Sequence, residues 1–102
     1  MKMLPSAGAA SLTDFRIFET SRFQDDLKQD FGGQRDRVIR KLHTYVYPQL
    51  RANPYVGKNI KKLRGQPEAW RYRIGDYRFF YIVIGHERVV MMTAADVRGR
   101  AY

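Results

Sequence analysis

Residues 70–94 constrain the fold more tightly than any other stretch of the chain. Trp70, Tyr72 and Ile74 alternate with Arg71 and Arg73, the period of a strand with one apolar face. Gly75-Asp76 follows, a two-residue pair of the kind that closes a hairpin. Tyr77 to Ile84 is apolar at both parities apart from Arg78, which predicts a central strand covered on both faces. Gly85-His86 marks the next turn. Arg88 to Ala94, carrying Val89, Val90, Met91 and Met92, then completes a three-stranded meander. The remainder, from Asp96 to Tyr102, reads as a polar tail.

The upstream half supplies the elements that must cover this sheet. Residues 1–12 are small and polar, with Pro5 and Gly8, and read as a flexible extension ahead of a single domain spanning 13–102. Phe15, Ile17 and Glu19 alternate with Arg16 and Phe18, a short strand pattern. Thr20 or Ser21 can cap a helix whose face carries Phe23, Leu27 and Phe31, stopped by Gly32-Gly33. A second helix carries Val38, Ile39, Leu42, Tyr45, Val46 and Leu50 as its apolar stripe, and Pro48 kinks it or ends its regular part near Tyr47. Residues 55–69, punctuated by Gly57, Gly65 and Pro67, read as a loop. The order is β-α-α-β-β-β. It predicts an α+β fold in which a helical hairpin packs on one face of a mostly antiparallel, four-stranded sheet.

Composition narrows the chemistry. With 102 residues the chain is long enough for one core. It contains no cysteine, which excludes thiol catalysis, disulfides and thiolate metal sites. Two histidines, His43 and His86, are too few to build a histidine metal centre. The carboxylates are scattered, without HExxH, DxD or P-loop spacing, so neither a metal nor another cofactor is expected. No apolar run reaches the roughly 20 residues of a membrane span, and a cytoplasmic protein is expected. The net charge of +9 points to a polyanionic partner, nucleic acid first.

The cations are placed unevenly. Strand alternation gathers Arg71 and Arg73 on the polar face of their strand, beside Arg78 across the hairpin. Arg98 and Arg100 can join them from the tail. Guanidinium groups crowded on one sheet face repel one another unless an anion sits among them, and their fork geometry matches phosphate oxygens. Lys58, Lys61, Lys62 and Arg64 extend the same positive field from the preceding stretch. Most aromatics fall at core positions of helix or strand. His43 reads as structural, His86 as an exposed turn residue, and no carboxylate pair suggests acid–base work.

The segments Lys62-Leu63-Arg64-Gly65, Trp70-Arg71-Tyr72-Arg73-Ile74-Gly75-Asp76-Tyr77-Arg78 and Val97-Arg98-Gly99-Arg100-Ala101-Tyr102 resemble those of the RelE/ParE toxin superfamily, its RelE/StbE-like branch above all. The resemblance covers residues 14–102 in layout and is most specific over 62–102. It implies the toxin of a type II toxin–antitoxin pair. Such a toxin cuts messenger RNA on the ribosome without a metal, through attack of a ribose 2′-hydroxyl on the adjacent phosphate, and so inhibits translation. It further implies catalytic roles for Arg71, Arg73, Arg78, Arg98 and Tyr102, and RNA contacts from Lys58, Lys61, Lys62, Arg64 and Arg100. The partners implied are the ribosome, its mRNA and a cognate antitoxin with an acidic, partly disordered segment and a DNA-binding part. Many relatives carry lysines where Arg71 and Arg73 stand. Arginine holds its proton, so Arg71 and Arg73 suit charge stabilisation and not the role of general base. A ParE-like inhibitor of DNA gyrase, or a catalytically weak toxin-fold protein that mainly binds its antitoxin, fits the same segments.

Overall fold

The computed structural model describes residues 14–29 and 31–97. Five strands form one sheet in the order β1-β5-β4-β3-β2: β1 (Arg16–Glu19), β2 (Ile60–Lys62), β3 (Ala69–Ile74), β4 (Tyr77–Ile84) and β5 (Val89–Val97). The expected meander is β3-β4-β5, antiparallel throughout, and β1 joins the outer edge of β5 in parallel. The sheet has five strands where the sequence suggested four. The stretch 55–69, expected as a loop, contributes β2 on the other edge, antiparallel to β3. Three residues with two lysines have little strand propensity of their own. Pairing supplies it: Leu63 N donates to the Ala69 carbonyl at 2.9 Å and Arg73 N to that of Asn59 at 2.9 Å, one at each end of the ladder.

The Gly75-Asp76 turn closes β3 onto β4 with Gly75 at φ +58°, a backbone region open to glycine and costly for other residues at that first turn position. β4 is not covered on both faces as its composition suggested. Its odd residues, Tyr77, Phe79, Tyr81 and Val83, are buried, while Arg78, Phe80, Ile82 and Ile84 keep partial exposure on the other side. β5 also runs further than its apolar run, so that Asp96 and Val97 belong to the strand and not to a tail. Its ladder with β4 slips at Phe80/Tyr81, which leaves Thr93 as the extra residue.

Helix α1 (Ser21–Leu27) is capped by Thr20, whose Oγ1 accepts from Phe23 N at 3.1 Å. It ends a turn earlier than its apolar spacing implied. Phe31 reaches the core from a 3-10 turn instead, at φ +53°, and packs edge-on against Tyr77. A left-handed phenylalanine costs about 1–2 kcal/mol, which its burial must offset. Helices α2 (Arg35–Lys41) and α3 (Tyr47–Ala52) form one rod, joined by a π turn over Leu42–Val46. Pro48 explains the widening. It has no N–H to donate and its ring crowds the preceding turn, so the chain swells there and Tyr47 N bonds to the Leu42 carbonyl five residues back.

The core lies between these helices and one face of the sheet. It is built from Phe23, Val38, Leu42, Val46 and Leu50 against Tyr72, Phe79, Tyr81, Val83, Val90 and Met92. Four tyrosine hydroxyls on this side find partners in the helices and loops, as buried hydroxyls must. Tyr47 donates to Glu19, Tyr77 to Gln34, and Tyr81 to the Pro54 carbonyl at 2.7 Å, while Tyr72 accepts from Asn59. Asp26 of α1 accepts from Ala95 N at 2.9 Å and anchors β5 beyond the bulge.

Two stability predictions follow from this side of the sheet. Tyr81→Phe removes the donor to the buried Pro54 carbonyl and should cost about 1–2 kcal/mol in urea unfolding. Burial pushes the Tyr47 and Tyr81 hydroxyls above the ordinary tyrosine value of 10.0, with the Glu19 hydrogen bond adding to the effect at Tyr47. Both then stay protonated in the folded chain while the unfolded chain ionises. Their contribution is complete below pH 10 and falls as the pH rises beyond it, so stability should decline in that range and less steeply in Tyr47→Phe.

Candidate functional site: a cationic groove on the open face

The strand pleat sorts side chains into two sets, and the set facing away from the helices is ordered in rows. Nearest the β3–β4 hairpin, Arg73, Arg78 and Asp96 lie side by side on β3, β4 and β5. The next row is Lys61, Arg71, Phe80 and Ala94 across β2 to β5. Beyond it the face turns apolar, with Ala69, Ile82, Met91 and Phe18. One half of the open face is thus cationic and the other hydrophobic.

Two of the cross-strand pairs in the cationic half join like charges: Lys61 opposite Arg71, and Arg73 opposite Arg78. Opposed like charges destabilise a sheet, by about 1 kcal/mol for a pair well exposed to water. Among the described residues only Arg78 has relief, from a 2.7 Å bond between its Nη2 and Asp96 Oδ2, a partly exposed pair. Among the described residues no carboxylate pairs with Arg71 or Arg73. The Nε atoms of Arg71 and Arg78 are also buried without an acceptor. Such a surface has donors and positive potential to spare, which is the chemistry of an anion site.

Beside these rows lies a groove of about 500 Å³ lined by Lys58, Asn59, Ile60, Lys61, Arg71, Arg73 and Gly75. Among the described residues, four cations and no carboxylate line it. The β2 strand makes this groove possible, because its pairing with β3 brings Lys58 and Lys61 alongside the arginines. Sequence reasoning had placed the lysines near the arginines only by their proximity along the chain.

The expected site residues divide into three groups. Arg71, Arg73, Arg78, Lys58 and Lys61 gather on or beside the open face. Lys62 and Arg64 do not line the groove. Lys62 stands opposite Trp70, on the helix-side parity, with its Nζ 5.8 Å from the indole centroid, and Arg64 is exposed in the turn after β2. Arg98, Arg100 and Tyr102 lie outside the described residues. Asp96 was missed because it was assigned to a tail. Its even spacing from Ala94, in phase with the open face, was the available signal.

The two histidines lie elsewhere, His43 edge-on to Tyr47 on the helical rod and His86 beside Glu87 in the β4–β5 turn. Among the described residues no cluster of three or more histidine or carboxylate side chains could hold a metal ion. No described helix is long and apolar enough to cross a membrane.

Comparison with known proteins agrees with this layout. Residues 19–96 match the family model described as the ParE toxin of type II toxin–antitoxin systems, parDE. A protein of Methanocaldococcus jannaschii, provisionally named toxin RelE1, is 34% identical over 55 residues. That match spans 52% of this chain and 61% of the relative, so the chain covers about three-fifths of that protein. The RelBE2 toxin–antitoxin complex of Mycobacterium tuberculosis contains a chain with the same fold, at a TM-score of 0.68 and 20% identity, covering 83% of this chain and 99% of that one. The isolated RelE toxin of E. coli superposes with a TM-score of 0.61 at 22% identity, covering 85% and 86% of the two chains. The family match extends from the end of the first strand through Asp96, across both helical segments and the whole meander that carries the arginines, and on that ground the chain belongs to the RelE/ParE superfamily of type II toxin–antitoxin toxins.

Proposed function

We propose that this toxin is a metal-independent endonuclease that cuts messenger RNA on the ribosome and so inhibits translation in the cytoplasm. The observation that carries the reading is the open face itself. Two like-charged cross-strand pairs flank a groove without carboxylates, and three guanidiniums stand within two rows. A sugar–phosphate backbone supplies anions at regular spacing and would relieve that repulsion. Lys58 and Lys61 track the strand along the groove. Arg71, Arg73 and Arg78 take the scissile phosphate, where guanidinium donors offset the charge that grows on the phosphorane-like transition state. By family resemblance Arg98, Arg100 and Tyr102 complete the site from the C-terminal residues, Arg100 as an RNA contact and the other two in catalysis. Lys62 and Arg64 serve as outer RNA contacts on the flank of the groove.

The antitoxin follows from the same face. Solved relatives from bacteria and archaea are toxin–antitoxin complexes. For this chain the partner is a segment carrying acidic residues for the cationic rows and apolar ones for the Ile82–Met91 half, folding as it binds and blocking RNA. Such a segment would be joined to a DNA-binding part. The second reading is a gyrase-directed toxin, favoured by the ParE description of the family that residues 19–96 match.

Mapping transcript ends on translating ribosomes decides between them. Codon-phased cuts should appear with the wild-type chain and fall at least about 100-fold with Arg78→Ala or Arg73→Ala. Intact transcripts together with a DNA-damage response would support the gyrase reading. Arg73→Ala should also lower the salt slope of single-stranded RNA binding by about 0.7. Because it removes a repulsive neighbour, the same change should leave folding stability within about 0.5 kcal/mol of the wild type, or raise it.

A further inference from the structure

Among the described residues, the nuclease reading has so far assigned no group to the removal of the 2′-hydroxyl proton. Arg71, Arg73 and Arg78 keep their protons. The buried tyrosines Tyr47, Tyr72, Tyr77 and Tyr81 belong to the core between helices and sheet, and His43 and His86 lie on the rod and at the far end of β4. At the hairpin end of the open face, among the described residues, the carboxylates are Asp96 and Asp76. Asp76 sits exposed in the two-residue turn, whereas Asp96 is held in the arginine row. Resting on the nuclease reading, we propose that Asp96 is the proton acceptor for the attacking 2′-hydroxyl, with Arg78 bridging it to the scissile phosphate.

The row geometry supports this assignment. Neighbouring strands are about 4.8 Å apart, so Arg73, Arg78 and Asp96 span roughly 10 Å. A phosphate over Arg73 and Arg78 then brings the ribose attached to it within reach of Asp96. Arg78 Nη2 already holds Asp96 Oδ2 at 2.7 Å, which fixes the carboxylate beside the phosphate while nearly half of it stays accessible. Among the described residues, the charged groups on the rows beside Asp96 are Arg78 from β4 and, one strand further, Arg73 from β3. Asp26 of α1 approaches β5 next to it but is engaged by Ala95 N. In the reaction the proton passes from O2′ to the Asp96 carboxylate as the O2′–P bond forms and the P–O5′ bond breaks. The 5′-oxygen takes a proton from water, giving a 2′,3′-cyclic phosphate and a 5′-hydroxyl, and Asp96 returns its proton to solvent.

The test is single-turnover cleavage of mRNA on translating ribosomes between pH 6.5 and 8.5. Asp96→Asn is isosteric and can still accept from Arg78, so a purely structural role predicts a small loss and an unchanged pH profile. As proton acceptor, Asp96→Asn should cut at least about 100-fold more slowly at pH 7. Its rate should climb about tenfold per pH unit as hydroxide replaces the carboxylate, while the wild type stays nearly flat. Asp96→Glu should recover most of the rate and the flat profile, and Asp76→Asn should match the wild type. Cleavage by Asp96→Asn within about threefold of wild type, or a slow but flat profile, overturns the assignment and leaves the nuclease reading standing. A wild-type chain that makes no cuts overturns both. Should Asp96→Asn fail to fold, the rate and profile of Asp96→Glu decide: a flat profile at near-wild-type rate supports the assignment, and a large loss overturns it.

Discussion

The pleat of β3 and β4 fixes everything else in this molecule. Along these strands successive side chains point to opposite sides, so one register buries Tyr72, Phe79 and Tyr81 and presents Arg71, Arg73 and Arg78 to solvent. A slip of one residue would bury three guanidiniums without partners, at several kcal/mol each, and expose the aromatics. The Gly75-Asp76 turn and the tyrosine hydroxyls enforce the same register. Tyr77 is tied to Gln34 at the hairpin, and Tyr81 to Pro54 near the middle of β4. Core and cationic face are two consequences of one alternation.

That linkage explains where the molecule tolerates unfavourable contacts. On the helix side the buried tyrosine hydroxyls have partners, and among the described residues Trp70 Nε1 is the buried side-chain donor left without one. The open side carries opposed cations and two buried Nε atoms without acceptors. Stability is thus drawn from one face and spent on the other, the distribution expected where a surface is shaped for an anionic ligand. Asp96 moderates that strain at Arg78, while among the described residues no carboxylate pairs with Arg71 or Arg73.

Much of this was legible in the chain itself, and the misses have physical causes. The meander, the parallel first strand's existence, the Thr20 cap and the arginine face all follow from periods of two or four and from turn chemistry. β2 was hidden because Ile60-Lys61-Lys62 is a strand only through its pairing with β3, and that pairing sets Lys61 against Arg71, a contact no propensity favours. The π turn was foreshadowed by Pro48, although the proline widens the rod instead of ending it. Asp96 was lost to an apparent tail because the apolar run stops at Ala95, while the strand continues on backbone pairing to Tyr77 and Arg78.

The missed strand and the missed carboxylate bear on the same question. Without β2 the arginines of β3 would stand on a sheet edge, with water on one flank and no lysines beside them. With it, they line a walled groove. Without the extension of β5, Arg78 would be a third unpaired cation. With it, the row reads cation, cation, anion across three strands, which gives the site a direction. On the proposed reading, a backbone entering along Lys58 and Lys61 meets the guanidiniums first and the Asp96 carboxylate last. The two segments least visible in the sequence therefore turn a charged patch into a walled groove with an ordered row of charges beside it, and they do so through pairing between strands, which one-dimensional periodicity cannot record.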